Sequence, residues 1–471
     1  MATDPMKVLD GRTLEGGGQL LRLALCLSAL TSIPVRIHSI RGNRSGGGGL
    51  KAQHLACVSW LAHACRARVE GAEKGCKELL FVPAKAGELS PAFTKRKVTG
   101  SDGEKGEVYE ARLDIKTAGS TGLALQAILP FILFTDFPSP LPVQLTISGG
   151  TNVSQSPSYE YITRVLLPTL ETIGFPRIEA KLGKRGWSHG GSSIGNFTLE
   201  IPHRSSIDFP AFNLEPPPQF SDDKGSSPPK LQIIHLHAIF IAPAQCHDHF
   251  HTTLKANIKS HFPQPAHPSF TETHGNLTID VEDSRHSKRM YFLLVATCSH
   301  SPSPPLSPPP STADNTTPAA KPFRLGRDWL YDRKLPQHPD RISHNPAVGT
   351  LLHTVCADLS CEIGSGACVD EHMRDQLVVF QALAQGRSVI SSGEGREASL
   401  HARTAEWVAQ QMLGRGDAGE GGGEKGVQFD GKGGCTGVGF GARSGGEDGT
   451  SSLGAEMARL ELGKGHGHRM S

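Results

Sequence analysis

Twice in the first half of the chain an apolar, helix-forming stretch leads into a short strand that ends in a glycine turn beside polar residues. Ile33-Pro34-Val35 runs on to Arg44 after the first, and Leu141-Pro142-Val143 runs on to Asn152 after the second. This weak repeat restricts the chain to α/β architectures built by duplication, because one helix–strand unit must bury its apolar face on its copies. Leu- and Ala-rich residues 16–31 predict a helix, and the alternation over 34–40 predicts a strand. Further patterning predicts a helix over 51–66 and strands over 78–82 and 107–115. Thr117-Ala118-Gly119-Ser120-Thr121-Gly122 then opens an apolar helix to about Phe134, followed by a helix over 158–173 and a strand over 177–182.

The texture changes beyond about residue 204. Prolines cluster at 210–229, ahead of a strand over 231–241, a His-rich helix over 244–261, and strands near 276–282 and 290–298. Residues 299–322 are a Pro/Ser/Thr tract with too few apolar side chains to join a core. Helical patterning returns at 346–362, 369–385 and 402–413, and a glycine-dominated tail from Gly414 holds one more strand within 426–440. A length of 471 residues accommodates two or three domains.

Net charge is +2, so no global field points to nucleic acid, and basic surface is local, at Lys95-Arg96-Lys97 and at Lys181, Lys184 and Arg185. Ten scattered cysteines without a CxxC pair predict reduced thiols, as in cytosol or nucleus. No apolar run reaches membrane-spanning length, and Met1 to Asp10 has no signal-peptide core.

The chemistry concentrates near the start. Leu9-Asp10-Gly11, Glu15-Gly16-Gly17-Gly18-Gln19 and Arg22 are followed by Ile40-Arg41-Gly42-Asn43-Arg44 and Gln53-His54. Glycines let backbone N–H groups approach a phosphate, a helix N-terminus favours negative charge, and arginines supply planar forks for phosphate oxygens. A surface turn with solvated charges is the alternative. There is no GxxxxGK[ST] loop and no KxDG, so phosphate chemistry here needs another nucleophile or none. Cys246-His247-Asp248-His249 with His251 has a metal-like look, yet no regular zinc spacing accompanies it, and a solvated helix face is expected.

Together with TAGSTGLALQ (117–126), SGGTN and SPSYEYI (148–162), VDEHMRDQLVVFQALA (369–384) and LHARTA (400–405), these stretches resemble the RNA 3′-terminal phosphate cyclases in order and co-occurrence. The resemblance implies ATP as cofactor. A histidine takes AMP, passes it to an RNA 3′-phosphate, and the ribose 2′-OH closes a 2′,3′-cyclic phosphate. It implies that His401 is the nucleophile and that Glu15 binds Mg²⁺ (or Mn²⁺). Arg22, Arg41, Arg44 and Gln53 would contact phosphates, and Asp375-Gln376 would lie beside the nucleotide. Pro157 would pack on adenine, opposite His372, which stands where the family usually has tyrosine. His54 adjoins this set, with a structural role equally open.

The implied fold is a large discontinuous domain (5–203 and 356–442) of repeated four-stranded-sheet/two-helix units. A smaller α/β domain is inserted at 204–355, and a Gly-rich tail covers 443–471. The implied partner is RNA with a 3′-terminal phosphate, with no membrane, in the nucleus or alternatively the cytoplasm. Two other readings stand beside it. One is the family's non-catalytic relative in small-subunit ribosome biogenesis, which lacks the nucleophilic histidine. The other is an enolpyruvyl transferase, which shares the repeated unit but has no use for an LHxxT-like motif.

Overall fold

The computed structural model describes residues 6–44, 46–84, 90–99, 105–204, 208–216, 231–263, 268–300, 322–335, 344–414 and 426–441, with the backbone of 337–338 and 341–342. Nearly all of the Pro/Ser/Thr tract, most of the proline cluster and the whole 443–471 tail lie outside the described residues.

One topology is used three times. The first repeat is β1 (Lys7–Asp10), α1 (Gly18–Thr31), β2 (Val35–His38), α2 (Ala52–Ala64), β3 (Arg68–Glu70) and β4 (Leu79–Val82). Its strands lie in the order β1-β2-β4-β3, with β1 and β2 parallel and the other pairs antiparallel. The second repeat has an extra edge strand, β5 (Thr94–Thr99), then β6 (Lys105–Asp114), α3 (Thr121–Leu133) and β7 (Val143–Gly149). A helical rod follows, from α4 (Tyr159–Tyr161) through a π turn (Ile162–Leu166) to α5 (Leu167–Thr172), and then β8 (Glu179–Lys184) and β9 (Gly195–Ile201). Behind β5 the order β6-β7-β9-β8 reproduces that of the first repeat, with the same pair parallel.

The third repeat is split. It starts with β10 (Asn213–Leu214) and then gives way to β11 (Leu231–Ala242), α6 (His247–His261), β12 (Leu277–Asp283), β13 (Tyr291–His300), β14 (Phe323–Leu330), the short pair β15 (Gln337–His338) and β16 (Arg341–Ile342), and α7 (Asn345–Gly364). It resumes with α8 (Glu371–Leu383), β17 (Gln385–Ile390), α9 (Leu400–Leu413), β18 (Gln428–Phe429) and β19 (Gly434–Val438). The order β10-β17-β19-β18, with β10 parallel to β17, again matches the first repeat. The inserted unit has its own sheet, β12-β11-β13-β14, covered by α6 and α7.

The expected 204–355 boundaries therefore shift. Strand β10 belongs to the third repeat's sheet, and α7 packs on α6, β13 and β14, so the insertion runs from β11 to the end of α7 at Gly364. Two residues are too few for β10 to show a period, and helix periodicity does not say which sheet a helix covers.

Helix α1 occupies the centre, against α2, α3 and α9. Gln19 through Ala29 are all buried, so the helix is apolar nearly all round rather than on one stripe. It starts at Gly18 rather than residue 16, because Gly16 has φ +59° and Gly17 is non-helical. Strand β2 stops at His38 because Ser39 and Arg41 adopt left-handed backbone. Strands β1, β3, β5, β9, β14 and β17 have no counterpart in the pattern reading. In β14 the reason is clear: Arg327 is buried in mid-strand, so a charged residue occupies an inward position.

Among the described residues no helix is long and apolar enough to cross a membrane.

Candidate active site

The first turn of the chain meets α9 from far along the sequence. The Glu15 backbone N–H donates to Thr404 Oγ1 on α9 (3.1 Å), and Lys7 Nζ donates to the Gly414 carbonyl just beyond α9 (3.2 Å). Helix α9 is also clamped to α8 by Arg374 and Glu406 (2.5 Å). A Cβ on Gly16 would sit 2.7 Å from the Asn43 side chain, so the first turn lies directly on the Arg41–Arg44 turn. Helix α1 begins with neither a side-chain cap nor an acid in its first turn, which leaves its leading N–H groups for an anion.

His401 is exposed in the first turn of α9, whose N-cap Ser399 accepts the Ala402 N–H (3.1 Å). Thr404, the Glu15 anchor, is three residues further along that helix. Crowding by surrounding atoms lowers the imidazole's proton affinity below the usual histidine value. Arg22, Arg44 and His372 act in the same direction and Asp375 opposes them. A neutral ring with a free lone pair is the form a nucleophile needs.

Glu15 has a buried carboxylate. Its Oε1 is paired with Arg44, while Oε2 is buried with no hydrogen-bond partner among the described residues. A buried carboxylate oxygen without a donor is costly unless a cation completes it. No group of three or more His, Cys, Asp or Glu side chains among the described residues forms a cage for a metal ion. A single carboxylate suits Mg²⁺, which usually shares its shell with phosphate oxygens and water.

Arg22 is buried, with Nε donating to Gln126 Oε1 (3.0 Å) and Nη2 to Gln19 Oε1 (2.9 Å). Gln126 Nε2 donates in turn to Asp375 Oδ2 (3.2 Å), so α1, α3 and α8 converge through one chain of bonds. Burial raises the Asp375 carboxyl above its usual range, and His401, His372, Arg22 and the Gln126 bond hold it back. Burial pushes His54 down to about 3, with Arg22, Arg41 and Lys51 adding to the effect. His54 Nδ1 accepts the Lys51 N–H (3.1 Å), which caps α2, so its structural role is real. A Cβ on Gly18 would lie only 2.8 Å from its Nε2, so the ring also borders the glycine turn.

Gln53 Oε1 accepts the Ser120 N–H (3.1 Å) at the head of α3, so contact with an anion would come from its Nε2. Arg41 Nη1 donates to the Gly49 carbonyl (3.4 Å), and Gln376 is buried one position beyond Asp375.

Pro157 lies at the head of α3, where a Cβ on Gly122 would come within 2.1 Å of the Pro157 carbonyl oxygen, one turn before Gln126. The next residue, Ser158, donates to Asp328 Oδ2 (3.1 Å), and the neighbouring Arg327 holds His372. His372 is exposed on the first turn of α8 and close enough to act on both His401 and Asp375. Thus Glu15, Arg22, Arg44, Asp375, His372 and His401 gather at one place. Gln53, Arg41, Pro157 and Gln376 border it.

Pattern reading assigned no role to Gln19, Gln126 or Thr404. Gln126 and Thr404 ended or lay inside motifs already singled out, and a polar side chain within an otherwise apolar helix was the signal available. The His-rich segment on α6 has no metal-like grouping: His247 Nε2 bonds the Ala242 carbonyl (3.1 Å), and His249 Nε2 bonds Thr253 Oγ1 (3.3 Å).

Gly18 offers a test of the packing. An added Cβ would lie 2.6 Å from Arg22 Nη1 and 2.8 Å from His54 Nε2, displacing two side chains rather than backbone. Were this turn to hold a triphosphate, Gly18→Ala would weaken ATP binding about tenfold to a hundredfold in calorimetric titration, with a modest fall in melting temperature because His54, which caps α2, is displaced as well. Unchanged affinity would place any bound phosphates away from Arg22 and His54.

A family model described as RNA 3′-terminal phosphate cyclase matches residues 13–416. Among curated relatives, the RNA 3′-terminal phosphate cyclase of Methanosarcina mazei is 30% identical over 410 residues, covering 86% of this chain and 94% of the relative. That of Pyrococcus furiosus is 29% identical over 423 residues (89% and 97%), and that of Nitrosospira multiformis 31% over 410 residues (87% and 92%). These are archaeal and bacterial proteins, from cells without a nucleus, so the nuclear expectation draws no support from them.

Proposed function

The chain belongs to the RNA 3′-terminal phosphate cyclase family, and on that premise we propose that it converts an RNA 3′-terminal phosphate to a 2′,3′-cyclic phosphate at the expense of ATP, with His401 as the AMP carrier. The observation that carries this reading is the Thr404–Glu15 bond, which sets an exposed imidazole at the head of α9 against the uncapped start of α1.

In the first step the His401 lone pair attacks the α-phosphorus of ATP. A P–N bond forms, the bond to pyrophosphate breaks, and Arg22, Arg41, Arg44 and Gln53 take up the charge on the leaving group. An oxygen of the RNA 3′-phosphate then attacks the same phosphorus and frees His401, leaving an RNA end capped by AMP. Finally the ribose 2′-oxygen attacks the capped phosphate, loses its proton, and expels AMP as the ring closes. A phosphate monoester has no good leaving group, and AMP supplies one. The neighbouring 2′-OH benefits from intramolecular proximity. Glu15 would hold Mg²⁺ or Mn²⁺ through Oε2, and the ion would add positive charge beside the triphosphate oxygens.

Pro157 and His372 would bracket the nucleobase. Histidine offers less stacking area than tyrosine, so this departure bears on nucleotide affinity rather than on the chemistry.

The test is mass spectrometry of a short 3′-phosphorylated RNA incubated with enzyme, ATP and Mg²⁺. The expected product has lost one water, and only when ATP is present. A DNA oligonucleotide with a 3′-phosphate is expected to stop at the adenylated end, having no 2′-OH. Unchanged RNA together with no adenylated protein would overturn the proposal and leave the non-catalytic reading.

A further inference from the structure

We propose that Arg327, on strand β14 of the inserted unit, is a positioning residue for the nucleobase: its guanidinium fixes the orientation and hydrogen-bonding edge of the His372 ring. The inference rests on the reading of His372 as the side chain opposite Pro157.

Arg327 is buried, and its side chain is held on several sides. Nη2 pairs with Glu362 and with Glu371 Oε2 (3.0 Å), and Nη1 lies 3.2 Å from His372 Nε2. Glu362 is almost fully buried at the end of α7; it also pairs with Arg396 and accepts the Glu371 N–H (3.1 Å). These partners leave the guanidinium little freedom.

A guanidinium has donors only. Facing Nη1, His372 Nε2 therefore accepts, and the proton of the neutral ring belongs on Nδ1. Tyr161 meets the same ring edge-on, with centroids 6.2 Å apart and planes at 80°. Tyr161 is fixed in its turn, its hydroxyl donating to Asp370 Oδ1 (2.6 Å). Asp370 Oδ2 also accepts the backbone N–H of Gly326, the residue before Arg327 (2.9 Å). Strand β14 and the head of α8 are thus joined twice at adjacent positions, and the exposed His372 ring rests on that joint.

The arrangement is specific to histidine. A tyrosine at 372 has no ring nitrogen, and its one acceptor, the hydroxyl oxygen, lies beyond the ring at its tip rather than on the ring edge that Arg327 meets, so the guanidinium should matter to nucleotide binding mainly while histidine is present. The insertion, which otherwise supplies none of the proposed phosphate-binding or nucleophilic side chains, would then contribute to ATP affinity through this one contact.

The test is a double-mutant cycle on enzyme adenylation, using Arg327→Lys, His372→Tyr and the double variant in the full chain. Lysine keeps a positive charge beside Glu362 but lacks the fork that reaches His372 as well. Arg327→Lys is expected to raise the KM for ATP about tenfold with kcat nearly unchanged, and less than twofold in the His372→Tyr background. An equal rise in both backgrounds, or a loss confined to kcat, would overturn the assignment.

A second measurement needs no Arg327 variant. The ¹⁵N spectrum of histidine-labelled wild-type protein, with His372 identified by its absence in His372→Tyr, is expected to show an unprotonated Nε2, and a protonated Nε2 would overturn the assignment. A wild type that forms no adenylate at all would defeat the cyclase reading and this inference with it. An active wild type that fails the cycle would defeat this inference alone.

Discussion

His401→Ala is expected to abolish the covalent adenylate, with labelling from α-labelled ATP reduced by about a thousandfold or more. Neither of the two other histidines near the site matches its setting. His54 is buried and caps α2, and His372 faces the Arg327 guanidinium. His401 is exposed and its ring makes no contact that α9 depends on, so the variant should melt at the wild-type temperature. The adduct should be acid-labile, as a phosphoramidate is.

The pH dependence follows from the sign of the shift. Desolvation holds the folded-state pKa of His401 below its usual 6.5, so the fraction of nucleophilic, neutral ring grows as pH rises through a midpoint below that value. Single-turnover adenylation should therefore show an acid limb centred below pH 6.5 and a plateau above it. Equal labelling of wild type and His401→Ala would remove the nucleophile from this position.

Arg22→Met is expected to separate stability from activity. Burial pushes the Arg22 guanidinium down to about 10, with Cys57 and Asp375 only partly opposing it. A base whose folded pKa lies below its unfolded value is penalised in its charged form. That penalty applies at every pH below about 10 and is relieved only as pH rises through the folded value. At 1.36 kcal/mol per unit it is roughly 3 kcal/mol near neutrality. Methionine fills similar volume without charge and removes that penalty, but it leaves Gln19 Oε1 and Gln126 Oε1 without their donor, at about 1–3 kcal/mol for each buried acceptor, so the two effects offset and the melting temperature should change little. Adenylation should nevertheless fall by about a hundredfold or more, because a preorganised donor to the phosphates is lost. A marked drop in melting temperature would instead make the Gln19–Arg22–Gln126 bonds a structural necessity, and full activity would exclude Arg22 from the phosphate site.

Much of this site could be read in advance. The glycine turn, its arginines and the LHxxT-like motif are local in sequence, and each has a chemical reason for its residue types. Their convergence was not readable from spacing. Glu15 and Thr404 meet across 389 positions, and Gln126 and Asp375 across 249. The first two repeats show in the pattern because their helices are long and apolar and their glycine turns alike. The third does not, since β10 has two residues, β17 begins with Gln385-Gly386-Arg387, and an unrelated α/β unit stands between them. Strand β14 was hidden for the reason that makes it interesting: Arg327 is charged, inward and paired, so alternation of apolar and polar residues fails there.

The split third repeat also bears on when the protein becomes competent during its own synthesis. Asn213 pairs with Val389 across a separation of 176 positions, and α9 follows that pairing in the chain. Closing so long a loop costs entropy before any contact compensates, which places this step late among folding events. The first two repeats can collapse while the ribosome is still making the remainder, but an emerging chain has not yet set His401 near Arg22 and Arg44. On the proposed reading competence arrives with α9, so a chain truncated before it is expected to form no adenylate however well its earlier portions have folded.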